Sequence, residues 1–215
     1  MPNQTEPPLT GAAATRAALL AAARAEFAEH GVAGARVDRI AASAGVNKER
    51  IYGYFGSKEK LFDAVMQIAL DEVAEVAASA GDDPVEYVGG MFDVYLRRPD
   101  LVRLLMWESL HHRDGSLPEQ SWRGQRCRDK AAEIGARLGR EPSPEDARLL
   151  LTLKGLALIP LALPRLADLM GLGLDDDPDE LAAMRDTLTA FARAALTAPA
   201  SLPASGDAAD RSVGS

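Results

Sequence analysis

Between Asn47 and Lys58 the sequence gathers an amide, three cations, a carboxylate and two phenols: Asn47, Lys48, Glu49, Arg50, Tyr52, Tyr54 and Lys58. The chemistry these types offer is recognition of a polyanion, not bond making. Lys and Arg neutralise phosphate charge, an Arg fork pairs with the guanine edge, and Glu accepts from the cytosine amine. Placed on a solvated helix face, the same Lys48-Glu49-Arg50 triplet does nothing specific, and Tyr52 and Tyr54 serve equally well as core aromatics. A second cluster, Glu108, His111, His112 and Asp114, invites a metal reading. Adjacent histidines on a helix point about 100° apart, and Glu108 with His112 at i, i+4 supplies two ligands, which do not make a site. Cys127 is the single cysteine. Arg126 and Arg128 beside it favour the thiolate, but without a second cysteine there is no resolving partner and no internal disulfide. No Ser/His/Asp set or phosphate loop is present, so neither an enzyme nor a bound metal or cofactor is expected.

What these residues do depends on the elements that hold them. Val37, Ile40, Ala41 and Ala44 stand at i, i+3, i+4 and i+7, the buried face of a short helix. Gly45 follows where a helix ends in the left-handed conformation, and Asn47 is a good N-cap for the next. That second helix, Lys48 to about Phe55, turns Ile51 and Phe55 inward and so leaves Lys48, Glu49, Arg50 and Tyr52 outward, with Tyr54 at the edge. Ser57 caps a third helix that carries Glu59 in its first turn. Two short helices joined by a Gly-containing turn form a helix-turn-helix.

Ile40-Ala41, Ala44-Gly45-Val46, Ile51-Tyr52, Tyr54-Phe55 and Ser57-Lys58-Glu59 with Leu61, preceded by Phe27, Gly31 and Val37, resemble the DNA-binding domain of the TetR family of bacterial transcriptional regulators. The resemblance spans about Ala17 to Val65. It implies that Asn47, Lys48 and Tyr52 touch phosphate and that Lys58 reaches the DNA backbone. Arg50 is the candidate for base readout, and Glu49 either accepts from cytosine or holds Arg50 or Lys48. The sequence departs from the family pattern at Arg36, where a Ser or Thr usually caps the helix; the guanidinium there is free to grip a phosphate. Gly53 inside the reading helix costs about 1 kcal/mol relative to alanine.

The chain has 215 residues and a net charge of −8, unevenly spread. Residues 1–60 are mildly basic at +2, whereas the remainder carries −10, a division that suits a DNA reader on an acidic body and also fits ordinary fluctuation. Ala and Leu dominate and no alternating strand pattern of useful length occurs, so the expected fold is all-α. The longest apolar stretch, Leu149 to Leu163, is broken by Lys154 and Pro160, so no membrane span is expected. The N-terminal stretch lacks the pattern of a signal peptide, and the lone cysteine fits a reducing, cytoplasmic setting.

The expected organisation is a disordered tail over 1–11, a helix-turn-helix domain over 12–60, a helical ligand-binding and dimerisation domain over 61–198, and a disordered tail over 199–215. Helices are expected at Ala13–His30, Ser57–Ser79, Pro84–Arg97, Asp100–His112, Pro118–Leu138, Pro144–Met170 with a kink or break at Pro160 and Pro164, and Asp179–Leu196. The family resemblance implies a repressor bound to a double-stranded, pseudo-palindromic operator and released by an apolar or amphipathic small molecule. It also implies a homodimer through the last two long helices. The segment Tyr95 to Glu108 resembles one subgroup's effector domain, which places Tyr95, Trp107, Glu108 and Leu110 near a pocket. Met91, Phe92, Trp122, Leu156 and Ile159 are further candidates, and ordinary helix-bundle core accounts for the same residues. The alternative to an operator binder is a helical adaptor or small-molecule-binding protein that never meets DNA.

Overall fold

The computed structural model describes residues 11–79, 83–111, 120–175 and 177–197, excepting the side chains of 75–79 and 120–122. The expected tails, His112 and Asp114, the Gly81-Asp82 turn and the side chain of Trp122 lie outside the described residues. Those described form ten helices and no strand. Three build the reader: α1 (Ala12–Gly34), α2 (Val37–Ser43) and α3 (Lys48–Phe55). The body follows as α4 (Lys58–Ser79), α5 (Pro84–Arg97), α6 (Pro99–His111), α7 (Gln120–Arg137), α8 (Pro144–Ala162), α9 (Pro164–Leu169) and α10 (Pro178–Thr197).

The punctuation is local chemistry. After α2 the Val46 amide donates to the Ala41 carbonyl (3.0 Å) and the Gly45 amide to Ala42 (3.2 Å), with Gly45 at φ 68°. This pair of bonds is a Schellman motif, and its left-handed residue is the glycine. Asn47 Oδ1 then accepts from the Arg50 amide at 3.2 Å, and Ser57 Oγ accepts from Lys60 at 3.2 Å to open α4. In the long apolar segment Pro160 sits inside α8, and the chain breaks instead at Leu163 (φ −123°), before Pro164 starts α9. A proline near the end of a helix forfeits one backbone bond, whereas the residue before a proline is pushed out of the helical region altogether.

One hydrophobic cluster runs from reader to body without interruption. Phe27 of α1 and Phe62 of α4 meet edge to face at 5.2 Å, with Ile40, Ile51 and Leu61 fully buried around them. In the body α5 lies against α8 and α10, and α7 against α8. Two contacts of α1 join the halves. Its flank packs on α4 and α6, and Arg24 reaches both Glu72 (2.9 Å) and Asp100 while Arg98 also holds Glu72 at 2.7 Å. Glu72, the one polar residue on the periodic face of α4, is therefore an ion-pair anchor between helices.

Candidate nucleic-acid interface and cavity

Helix α3 owes its orientation to Ile51 and Phe55, both buried, which fix one side in the core. The opposite side carries Lys48, Glu49, Arg50 and Tyr52, all exposed, Tyr52 by 48%. Lys48 Nζ lies 3.5 Å from Asp38 Oδ1, but both groups are well exposed, and such a pair is worth little and yields readily to phosphate. Glu49 forms no ion pair with Lys48 or Arg50 among the described residues, so the idea that it holds either of them finds no contact here. Arg50 is likewise free of ion pairs among the described residues. Gly53 faces open space, with nothing within 4 Å of where a Cβ would stand.

Three candidates have tasks within the fold. Tyr54 is half-buried and its hydroxyl donates to the Ala12 carbonyl at 3.3 Å, tying α3 to the start of α1. Lys58 Nζ donates to the Ala35 carbonyl at 3.3 Å, which places its charge beside the α1–α2 junction. Arg36 makes no side-chain cap, and its own backbone amide is held from α1. Glu26 accepts from the Arg36 amide at 2.8 Å and from Arg39 Nε at 2.8 Å. The guanidinium of Arg36 stays exposed. A cation the sequence reading did not single out, Arg16, lies over the Phe55 ring at 5.5 Å and adds charge at this end of the molecule.

The Glu26 carboxyl sits below the usual glutamate range. Burial pushes it up, but the bonds from Arg39 and the Arg36 amide outweigh that and lower it. A carboxyl depressed by folding lends stability above its unfolded pKa, and that stability is lost as pH falls through the folded value. Urea midpoints of the wild type and Glu26→Gln are therefore expected to differ at neutral pH and to converge as the pH falls below the usual glutamate range and through the lowered value of the folded state. A gap of constant size would rule out the carboxylate as the cause.

The body holds an open cavity of about 720 Å³ bordered by α4 to α8, within the range of small-molecule sites. Leu70 and Val73 of α4, Met91 of α5, Leu105 of α6 and Leu158 of α8 make its apolar walls. Tyr87 and Tyr95 project from α5, and α7 contributes Arg123, Arg126, Cys127 and Lys130 opposite Lys154 of α8. Of the residues marked for a pocket by sequence, Met91 and Tyr95 border this space. The others whose side chains are described stand elsewhere. Phe92 is core, 1% exposed, while Leu110 and Ile159 point to solvent, and Leu156 packs on the main cluster. Trp107 is corrected most. Its indole lies on α1, Nε1 donating to the Ala28 carbonyl at 3.4 Å. Glu108 is buried behind the wall, where it binds Arg123 through two bonds of 2.9 Å. Tyr87, Lys130 and Lys154 escaped the sequence reading because three separate helices bring them together; the one available signal was Lys154 interrupting an apolar run. Cys127 is exposed on this rim. No group of three metal-ligating side chains occurs among the described residues, and among them no helix is long and apolar enough to cross a membrane.

A helix-turn-helix with a cationic outer face, on a helical body that carries a cavity, is the build of a DNA-binding regulator. Residues 19–65 match the family model for bacterial regulatory proteins, tetR family, and residues 83–194 match the tetracyclin repressor-like C-terminal domain. The HTH-type transcriptional repressor SCO4008 of Streptomyces coelicolor is 35% identical over 188 residues, covering 84% of this chain and 94% of that one. The repressor NicS of Pseudomonas putida is 36% identical over 104 residues, 45% of this chain and 49% of NicS. The crystal structure of SCO4942 from Streptomyces coelicolor superposes with a TM-score of 0.68 at 32% identity, covering 84% of this chain and 97% of that one. The chain belongs to the tetR family of bacterial regulatory proteins, and it is a DNA-binding transcriptional regulator.

Proposed function

We propose that the protein is a dimeric repressor that leaves a pseudo-palindromic operator when a small molecule fills the cavity between α4 and α8. The observation that carries the reading is the division of α3, with Ile51 and Phe55 locked inward and Lys48, Arg50 and Tyr52 free outward. The reader comprises residues 12–60 and the sensing and dimerising body residues 61–198. Asn47, Lys48, Tyr52, Lys58 and the exposed Arg36 approach phosphates, with Tyr54 chiefly holding the helix. Arg50 reads a guanine, and Glu49 is free to accept from a cytosine amine.

Two copies are required because each reader covers one half-site, and successive major grooves lie roughly 34–36 Å apart. The exposed apolar residues of α8 and α10 supply a face for a two-fold contact, with Ile159 51% exposed and Phe191 60%. An effector that prefers a conformer with altered reader separation lowers operator affinity by its differential binding energy.

A gel shift against the DNA upstream of the gene tests this. Wild type is expected to give a salt-sensitive, sequence-specific shift, and Arg50→Ala to weaken it about tenfold or more. A shift unchanged in Arg50→Ala would remove Arg50 from base readout. No shift at all would favour an adaptor that does not bind DNA.

A further inference from the structure

The chemistry of the cavity wall says which class of molecule it takes. Four cations border it, and three are already matched. Arg123 is bound by Glu108 through two bonds, Arg126 lies 3.5 Å from Asp71, and Lys130 lies 3.0 Å from Glu133. Lys154 differs. It is half-buried, it meets no carboxylate among the described residues, and its Nζ stands 4.0 Å from Cys127 Sγ. A half-buried ammonium without an acid is costly, and an anion entering the cavity relieves it.

Two further groups point the same way. Tyr87 and Tyr95 are 3% and 5% exposed, both line the cavity, and neither hydroxyl makes a hydrogen bond among the described residues. The described side-chain atoms that are sealed from solvent without a partner are Arg24 Nη2 and Arg140 Nε. The two phenols are not among these, so their hydroxyls open onto the cavity space. Burial pushes Tyr95 up to about 12. Tyr87 is raised further by burial, with Tyr95 and Cys127 adding to it at short range. Both therefore remain protonated donors, and Tyr87 stands near enough to Tyr95 and Cys127 for their charges to act on it, Cys127 being the residue whose sulfur Lys154 approaches. Asp129 and Glu133 also line the space, Glu133 taken by Lys130 and Asp129 accepting from Gln125. The wall therefore offers an anion one ammonium and two neutral donors at most, which suits a single negative charge spread over two oxygens better than a phosphate dianion. Elsewhere on the wall Leu70, Val73, Met91 and Leu105 offer apolar surface.

We infer that the effector is an amphipathic monoanion: a carboxylate held by Lys154 Nζ and by hydrogen bonds from Tyr87 and Tyr95, with an apolar chain or ring along α4 to α6. This rests on the effector reading above and names the class of ligand that reading leaves open.

Calorimetric titration of the full chain with octanoate, octanamide and octylamine, matched in shape and differing in charge, tests it. Octanoate is expected to bind about tenfold or more tighter than either of the others. Lys154→Met is expected to shrink the acid-over-amide ratio to within about twofold, and Lys154→Arg to restore most of it. Tyr87→Phe and Tyr95→Phe each reduce the ratio in part. The ratio is the readout because a merely structural role for Lys154 would weaken acid and amide alike. Equal or tighter binding of the amide or amine, a preference that survives Lys154→Met, or no binding of octanoate overturns the inference. Gel shifts with the same compounds separate it from the effector reading. Release of DNA by octylamine would uphold an effector cavity and overturn the acid, and selective octanoate binding without release would keep the acid site and overturn effector-driven release.

Discussion

Gly31→Ala is expected to lower the thermal midpoint by roughly 6–12 °C, an effect far larger than an alanine on a helix surface produces. Two causes act together. Gly31 stands at φ 65° and ψ 177° inside α1, a region essentially reserved for glycine, where a Cβ costs about 1–3 kcal/mol. That Cβ would also lie 2.7 Å from Cδ2 and Cε3 of Trp107, closer than carbon atoms approach, so the indole must leave its seat on the Ala28 carbonyl. The causes can be separated. Trp107→Ala relieves the clash but not the backbone strain, so in the Gly31→Ala background it is expected to cost much less than it does alone. Equal costs in both backgrounds would show that the indole does not press on residue 31. A midpoint unmoved by Gly31→Ala would show that the α1 kink is not held as described. The contact also matters for signalling. Trp107 belongs to α6, a wall of the cavity, while Ala28 and Gly31 belong to α1, the first helix of the reader. A ligand that displaces α6 therefore acts on α1 directly through the indole, in parallel with the rigid course of α4.

The reader was legible because each of its constraints is local in sequence. Gly45 must accept a positive φ, Asn47 must cap, and Ile51 and Phe55 must share a face; each statement needs only a few neighbouring residues and a helical period. The same locality explains how well the α3 and α5 bounds matched expectation. The departure at Arg36 was visible, but what holds its backbone amide was not. Glu26, which accepts the Arg36 amide, lies ten residues back on another helix, and no periodicity connects them. In the long apolar segment both prolines were visible as breakers, yet which one broke the helix depended on position. Pro160 fell where α8 was already ending, and Pro164 fell where a new helix could begin with it.

The cavity was far less legible, for a physical reason. A bundle helix that borders a cavity shows the same apolar stripe as one that borders a neighbour, so Met91 and Phe92 look alike in sequence, yet Met91 lines the space and Phe92 is packed solid. Trp107 was drawn to a pocket by its size and neighbourhood. One position along the helix turns a side chain by about 100°, enough to send Trp107 to α1 while Met106 faces the cavity. Polar residues carried more information than apolar ones. Glu108 within an apolar run marked a contact that burial made necessary, though not its partner, and Lys154 within another marked the cavity wall.

Glu108→Ala is expected to destabilise the body by about 2–3 kcal/mol, read as a lower urea midpoint with an unchanged slope. The carboxylate is 7% exposed and its two oxygens answer Arg123 at 2.9 Å each. Removing it strands a guanidinium whose side chain is only 21% exposed. A fully buried orphan charge would cost more, about 3–5 kcal/mol, but Arg123 borders the cavity and can draw water to itself. Most of the loss is thus the penalty on Arg123 rather than the worth of the pair. Arg123→Met in the Glu108→Met background, which removes both charges and keeps the volume, is accordingly expected to recover most of the stability. A double variant as unstable as Glu108→Ala would instead mean that the ion pair itself holds α6 to α7. The same change alters what the cavity asks of a ligand. With Glu108 gone, Arg123, on which Asp63 also acts, becomes available on the wall beside Lys154, so more negative charge is admissible than in the native cavity. Octanoate is then expected to bind more tightly to Glu108→Ala than to wild type, and to return part of the lost stability in proportion to its occupancy. Tighter anion binding in a less stable protein would follow only if Glu108 withholds Arg123 from the cavity, and a parallel loss of both would show that Arg123 no longer lines the cavity once released.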